Sequence, residues 1–492
     1  MFYAFKGAQQ ATRYEVAAMV ARAVARGDEL HASKKDVELL KKLCAEFKNE
    51  LDALGAKTDK LDKRVTKLEK GIGSWNISGR FRFNANFTGG DQKNGQSTWT
   101  QKHGKNTISR DTARMFFRRQ ITADTYFDSQ FRLGSAWAGV SDHPGMNDEA
   151  SFSVRKFYVG TKLPFWGLGV KIGRWQFDWE SDYALANDED SFFGDWRVDG
   201  FWFEKKWNTV KLDAIFGRNT SGSRRNHLYA GIDEDGALEA AHGGKYEHTL
   251  YGVNLKWTPT DKLTLGAMGY WQQGDGAVAS EKGTSRGNVQ TYGVTAGYKF
   301  TDGIALKGIY YWQHMSSAFN DVLDEVGAID KNNYAFKVIL DVKQNVLKFT
   351  DLWVEYNQYK NGFGANNGAA GYGTGVNCYA MGSSAPEVGV QWARPINNES
   401  TKIFFIKAEQ KWNKKWSTFV RATIANFGTD DYDNAKEWGL GVKYKLNPAI
   451  TFMLAYDRVD YGEKRDGAIC VSGDGFAKGI DQVIMFQTDV KF

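Results

Sequence analysis

From Trp75 onward, apolar and polar residues alternate with a period of two, and few architectures accept that pattern over so long a chain. In WNISGRFRFNANF, Ile77, Phe81, Phe83, Ala85 and Phe87 share one face, while Ser78, Arg80, Arg82, Asn84 and Asn86 share the other. Segments of the same kind recur to the end, among them LGVKIGRW, YGVNLKW, TYGVTAGYKF, EWGLGVKYKL and QVIMFQTDVKF. The separators alternate in length. Short ones such as LPFWG, TPTDK, FTDG, KQNV and LNPA carry turn-forming Pro, Gly, Asn and Asp, and long Gly-rich or polar stretches lie between them. A soluble sandwich has alternating strands but no reason to alternate its connections. Short turns on one rim and long loops on the other are the organisation of a transmembrane antiparallel β-barrel. The expected fold is therefore mainly β. Eighteen strands can be counted, with sixteen as the alternative, and either even number returns both barrel ends to the same side.

Composition agrees and narrows the function classes. The 492 residues combine 53 Gly and only 6 Pro with 14% aromatics, and the mean hydropathy is −0.51. No run of about eighteen apolar residues exists, which excludes a membrane-crossing helix but not barrel strands of about 9–11 residues. The opening MFYAFKGAQQ lacks the basic start, apolar stretch and cleavage site of a secretory leader, so the numbering is expected to begin inside a longer chain. A net charge of +6 without a dense Lys/Arg tract argues against nucleic acid. The three cysteines, Cys44, Cys378 and Cys470, fit neither a metal cluster nor a disulfide framework, although a single Cys378–Cys470 bridge is compatible. The seven histidines form no metal or nucleophile constellation, and G-x-S-x-G, H-E-x-x-H and phosphate-loop motifs are missing. An enzyme is not expected, and neither is a cofactor.

Before Trp75 the period is helical. Thr12 and Glu15 in TRYE form a capping box, and Val16, Met19, Val20 and Ala23 then recur on one face of a helix ending near Gly27. Next comes a seam at Val37, Leu40, Cys44, Phe47, Leu51, Leu54, Thr58, Leu61, Val65, Leu68 and Ile72, in steps of three and four. That heptad with charged flanks predicts a coiled-coil stalk of about 54 Å, which needs partner chains. The alternative is an amphipathic helix lying on a globular core. The chain thus divides into 1–28, a helical module; 29–73, the stalk; and 74–492, the barrel.

Functional candidates follow from the barrel phase. A charged side chain facing lipid near the midplane costs about 2–4 kcal/mol, so Arg80, Arg82, Arg114, Arg118, Arg132 and Lys171 on the first five strands, and Arg421 later, are expected to line the lumen. Singly, each can serve merely to solvate a polar interior. After the fifth strand, FDWESDYALANDEDSFFGD holds seven carboxylates and no Lys or Arg. As a surface loop it offers calcium the hard oxygens of Asp188, Glu189 and Asp190. Folded inward, Asp178, Glu180, Asp182, Asp188, Glu189 and Asp190 instead oppose the basic wall across a constriction and sort small hydrophilic solutes by size and charge. A solute-specific channel of the sugar type is the second reading, with Tyr292, Tyr298 and Tyr311 as an aromatic slide. A third is a plugged, non-conducting anchor.

FKGAQQATRYEVAAMVARAV, followed by a stalk and a barrel ending in Phe492, resembles the OmpM-type outer-membrane porins of diderm Firmicutes, which carry an N-terminal S-layer homology module. The likeness spans the order of parts along the whole chain. It is strongest at Phe5, Lys6, Gly7 and at Thr12, Arg13, Tyr14 and Glu15. The resemblance implies a homotrimer in the outer membrane, with its stalk in the periplasm and the module gripping polyamine-decorated peptidoglycan. Arg13, with Tyr14 and Glu15, would sit at that contact, and Arg13 is expected to be the residue left free to bind. Phe492, with Val490 and Phe486 on its face, matches the terminal aromatic signal for barrel assembly. The family module is longer than the part present here.

Overall fold

The computed structural model describes residues 12–26, 34–53, 75–89, 106–133, 152–176, 178–187, 197–219, 229–232, 238–240, 248–274, 278–280, 283–285, 288–315, 330–360, 362–363, 375–377, 391–393, 399–426, 428, 430, 434–460 and 482–492. Contacts divide the chain into two units, Met1–Ile77 with Phe117–Phe127, and Ser78–Phe116 with Asp128–Phe492.

The alternating segments form one sheet of eighteen strands, which decides between the two counts. They are β1 (Trp75–Gly89), β2 (Asn106–Gln120), β3 (Thr125–Leu133), β4 (Phe152–Lys162), β5 (Gly169–Gln176), β6 (Arg197–Trp207), β7 (Val210–Asn219), β8 (His248–Trp257) and β9 (Leu263–Gly274). The second half comprises β10 (Asn288–Thr301), β11 (Ile304–Met315), β12 (Asn332–Val342), β13 (Asp351–Lys360), β14 (Ser400–Lys411), β15 (Trp416–Asn426), β16 (Ala435–Lys445), β17 (Ile450–Asp460) and β18 (Gln482–Lys491). Consecutive strands pair, and an antiparallel ladder from β1 to β18 closes the sheet on itself, with Arg80 opposite Lys491 and Gly89 opposite Gln482. Closure leaves no strand edge unpaired, which a spanning structure requires in a medium without water.

Short turns are built as their residues dictate. Asn413 Oδ1 accepts from the Lys415 and Trp416 N–H groups at 2.8 and 3.0 Å, and Asn447 Oδ1 accepts from Ala449 and Ile450, each at 2.9 Å. These Asx turns fix the hairpins on one rim. That rim also exposes Trp166, Phe349 and Trp412, as amphipathic rings at a membrane boundary would be. The two ends of the barrel meet there. Phe492 and Gly79 exchange backbone hydrogen bonds at 3.0 and 2.6 Å, and the Phe492 ring lies so close that a Cβ on residue 79 would meet it at 2.3 Å.

The outward phase is apolar on nearly every strand: Ile172, Phe201, Phe216, Val253, Leu255, Val294, Val338, Phe404, Val420, Leu440 and Leu454 are all exposed. Tyr292 and Tyr298 share the phase of Val294 and are exposed with it. This corrects the expected aromatic slide, since only Tyr311 of the three points inward and is fully buried.

In the other unit, α1 (Arg13–Arg26) starts at the capping box: Glu15 Oε2 accepts from the Thr12 N–H at 2.8 Å, and Thr12 Oγ1 accepts from the Glu15 N–H at 3.3 Å. Its buried residues are Ala17 and Val20, with Val16 beside them, whereas Met19 is exposed and was assigned to the wrong face. α2 (Lys34–Glu46) and α3 (Lys48–Ala53) join at Phe47, whose N–H still donates to the Leu43 carbonyl at 3.0 Å. Helical hydrogen bonding therefore runs through the junction. The seam residues Leu40, Cys44 and Phe47 lie against Ala17 and Val20 of the same chain, which is the globular-core alternative for this part of the heptad. Leu54, Thr58, Leu61, Val65, Leu68 and Ile72 lie outside the described residues, as do the side chains of Val37 and Leu51.

Candidate functional site: the lumenal wall and an inward loop

The period-two phase aims the charges. On β1 and β18, Arg80 and Arg82 stand on the inward phase with Asp489. Arg80 Nε donates to the two carboxylate oxygens at 2.8 and 3.1 Å, and Arg82 Nε is 3.9 Å away. One carboxylate thus serves two guanidiniums, so this arc carries net positive charge. Arg118 lies over the Tyr126 ring at 4.6 Å, on the phase of Arg114 and of the β3 residues Gln130 and Arg132, both buried. Lys171 sits 4.2 Å above the inward ring of Trp202. Arg421 is fully buried against Asp457 at 2.6–2.8 Å. These two residues belong to β15 and β17, and they meet across Gly439 of the intervening strand, where a Cβ would lie 1.8 Å from the Asp457 carboxylate. Arg80, Arg82, Lys171 and Arg421 stand on the phase opposite the exposed apolar residues of their own strands.

Sequence reasoning missed several wall residues that obey the same phase. Lys337 and Glu355 form a buried pair at 3.5 Å, and Glu409 lies between Lys407 and Lys443, each at 3.1 Å. The signal was available for Lys337, Lys407, Glu409 and Lys443, each of which stands on the opposite phase to the exposed apolar residues of its own strand.

The acidic segment after β5 folds inward over residues 178–187. Glu180 is buried and its carboxylate accepts from three consecutive N–H groups, those of Leu185, Ala186 (3.0 Å) and Asn187 (3.2 Å), and from the Tyr311 hydroxyl. Asn187 adds a hydrogen bond from Nδ2 to the Tyr311 hydroxyl at 3.0 Å. Tyr183 donates to the Ala296 carbonyl at 3.2 Å, and Lys307 Nζ reaches Asp182 at 2.5 Å. The loop is therefore pinned to the inner face of β10 and β11. Ser181 (φ 53°) and Ala184 (φ 42°) adopt left-handed backbone, which costs about 1–3 kcal/mol at a non-Gly residue and persists where surrounding contacts over-determine it.

This geometry changes the expected role of the acidic segment. Glu180 and Asp182 are engaged as anchors rather than presented to the basic arc, while Asp178 is exposed and caps the Ser181 N–H at 3.3 Å. Asp188, Glu189 and Asp190, and with them the calcium reading, lie outside the described residues, as do Cys378 and Cys470. No group of three metal-ligating side chains stands together among the described residues. The wall under the loop is apolar, which the sequence did not suggest. Trp175, Trp202, Leu250, Met268, Tyr270, Tyr311, Tyr359 and Phe405 point inward and pack with Leu185 and Ala186 of the loop and with Phe363 after β13. The lumenal wall therefore has two arcs, one apolar and covered, the other charged.

In the helical unit, Arg13 is not free. Its Nε donates to Glu50 at 2.7 Å, its terminal nitrogen donates to the Glu46 carbonyl at 3.1 Å, and its guanidinium lies over the Phe47 ring at 5.0 Å. This salt bridge raises the Arg13 pKa and holds the Glu50 carboxyl below its ordinary value, chiefly through the hydrogen bond between them. Glu15 is occupied by the cap, and Tyr14 is exposed.

No family model and no curated protein sequence matches the chain. Among solved structures it is similar in fold to Pseudomonas aeruginosa OccK11 (OpdR), with 10% identity and a TM-score of 0.49 over 85% of this chain and 97% of that one. It is also similar to P. aeruginosa OccD3 (OpdP), with 14% identity and a TM-score of 0.46 over 85% and 91%. A third is the trimer form of the Vibrio cholerae outer-membrane protein OmpT, with 12% identity and a TM-score of 0.37 over 85% and 99%. At such identities the likeness is one of shape, and the eighteen-stranded closure stands on the ladders of this chain.

Proposed function

We propose that the chain is an outer-membrane channel for small hydrophilic solutes, with a charged path along the arc of β15–β18 and β1–β3. The observation that carries this reading is the phase of charge. Arg80, Arg82, Asp489, Arg421 and Asp457 all stand opposite an outward face of exposed apolar side chains. Water in the lumen reaches Arg80, Arg82 and Asp489, whereas Arg421 and Asp457 are buried and neutralise each other, and the net positive balance at Asp489 draws anionic groups toward the wall. The 178–187 loop narrows the lumen by covering the apolar arc with Leu185 and Ala186. Reconstitution in planar bilayers tests this. Stable ohmic steps that shift toward cation selectivity in an Arg80→Gln/Arg82→Gln variant are expected, and a folded barrel that never conducts would refute it.

The tether belongs to the same proposal in its finer form. The chain would assemble as a homotrimer and hold peptidoglycan through residues 1–28, carried on a periplasmic stalk over 29–73. Support comes from the TRYE resemblance, the capped α1 helix and the heptad. With Arg13 and Glu15 engaged within the chain, the exposed Tyr14 becomes the stronger candidate for the cell-wall contact. Deleting residues 1–72 is expected to abolish peptidoglycan pull-down and to leave conductance unchanged; retained binding refutes the tether.

A further inference from the structure

The even-numbered strands, which run toward the short-turn rim, end alike from β4 to β18. Lys162, Lys206, Lys256 and Lys299 stand within two residues of the ends of β4, β6, β8 and β10. Lys343 directly follows β12, and Lys411, Lys445 and Lys491 are the last residues of β14, β16 and β18. All eight are exposed. Each holds the inward phase, opposite the exposed apolar residues of its strand, as Lys256 does to Leu255 and Lys445 to Leu440.

The rest of this rim does not neutralise them. The odd-numbered strands β5–β17 begin here, and among their first inward residues Lys211 adds a further cation and Asp351 a single carboxylate, while others such as Thr264, Ser417 and Thr451 are neutral. The turns from β4 to β18, all of them described, carry Lys262, Lys348, Lys414 and Lys415 against Asp261 and Asp302. Residues 54–74, which precede β1, hold six Lys and Arg against three Asp and Glu. One step further in, the even-numbered strands present Glu204, Asp341, Glu409 and Asp489. Glu409 is held there by Lys407 and Lys443, each at 3.1 Å, and Asp489 by Arg80 and Arg82. Of the eight lysines, Lys343 reaches Asp341 at 2.9 Å and Lys411 reaches Asp351 at 2.7 Å. The positive excess rests on this count and not on any one side chain being free.

Neighbouring lysines of the eight are two strand spacings apart, about 9.6 Å at roughly 4.8 Å each. The Debye length is about 10 Å at 0.1 M salt, so their fields merge into one cationic ring around the mouth. A monovalent anion meets one lysine at a time, whereas an anion with three or more charges spread over about 10 Å faces two. Each ammonium offers three donors on a flexible stem and takes phosphate or carboxylate oxygens through charge-assisted hydrogen bonds.

We propose that the short-turn mouth binds small multivalent anions, of the class of phosphate chains and polycarboxylates, on this ring of eight lysines. A small solute is favoured over an anionic polymer because the lysines face the lumen from the inner phase of the strands. The ring rests on the channel reading only in needing water at that mouth. Binding is measured apart from conduction, so a silent barrel that binds the anion would sink the channel reading and leave the ring.

The test uses the full chain folded in zwitterionic detergent, with inorganic tripolyphosphate as the probe and titration calorimetry as the readout. Binding is expected in 0.1 M sodium chloride and should vanish at 1 M, where the Debye length is about 3 Å. Lys162→Gln/Lys256→Gln/Lys343→Gln/Lys445→Gln takes out alternate members and doubles the spacing to about 19 Å, which should weaken binding by about thirtyfold. Lys262→Gln/Lys348→Gln/Lys414→Gln/Lys415→Gln lowers the net charge equally but from the turns, and should weaken it by less than threefold. Heat-modifiable electrophoretic mobility checks that both variants fold. Absence of binding by the natural chain overturns the proposal, as does a ring variant that binds within threefold of it. A turn variant weakened as much as the ring variant overturns it too, since net charge alone would then explain the binding. Binding that survives 1 M salt does the same, being the mark of a dehydrated pocket elsewhere.

Discussion

Replacing Glu180 by Gln tests whether the inward loop is held by one carboxylate. Glu180 Oε2 accepts from Leu185, Oε1 accepts from Asn187 and Tyr311, and both oxygens accept from Ala186. Gln keeps the shape but offers one acceptor oxygen, and its NH2 group turns a donor toward at least one buried N–H. An orphaned buried donor costs about 1–3 kcal/mol, and the surviving bonds lose their charge-assisted strength. The sum is about 3 kcal/mol, or ~150-fold in the ratio of released to pinned loop. The readout is chemical. In a chain freed of its three cysteines, Leu185→Cys places a thiol at a position only 1% exposed. A membrane-impermeant maleimide should label it slowly, about a hundredfold faster with Glu180→Gln, and about thirtyfold faster with Tyr311→Phe, which removes the hydrogen bond to Glu180 and the one from Asn187. Single-channel noise should rise in the same order. If Glu180→Gln changes labelling by less than threefold, the pin is elsewhere.

Two further outcomes follow from ion pairs of opposite setting. Arg421→Met leaves Asp457 buried without its partner, which should cost about 3–5 kcal/mol, whereas Arg421→Met/Asp457→Leu should recover most of it; the temperature at which the folded band is lost in semi-native electrophoresis checks both. Glu50 is half-buried and held below its ordinary value by Arg13. Its contribution is present above the unfolded carboxyl pKa and is lost as pH falls through the lower folded value. Hydrogen exchange of residues 12–26, corrected for intrinsic rates, should therefore distinguish the natural chain from Glu50→Gln near pH 7 and not at pH 3.

How far the architecture could be read in advance depends on what covers the inside of each strand. Where the lumenal face is polar, as at Arg80 and Arg82 on β1 or Gln487 and Asp489 on β18, period two is clean. On β6, β13 and β14 the inward phase contains Trp202, Tyr359, Ile403 and Phe405. Apolar residues then stand on both faces, so the alternation fades although the strands are fully formed. The cause is non-local: loop residues Leu185, Ala186 and Phe363 cover these side chains, and nothing within a ten-residue window reports that cover.

The same limit explains the acidic loop. Composition marked Glu180 as one of seven carboxylates and gave it the role of the others, because charge count is all that a segment displays before its partners are known. What sets Glu180 apart is that three N–H groups five to seven residues on curl back toward it, and that a tyrosine 131 positions away supplies the fourth donor. Tyr311 was itself legible as inward from strand phase, and Tyr292 and Tyr298 were misplaced by the same reasoning because an aromatic ring suits a lipid-facing position as well as a lumenal one. On such strands the polar residues decide the phase. Gln313 is buried with Tyr311 on β11, whereas Gln290 stands exposed on the outward phase of Tyr292, in hydrogen bond with its hydroxyl at 3.1 Å. A lone polar residue near a strand end can therefore sit at the interface and mislead, and only agreement among several positions of one strand fixes which way its aromatics point.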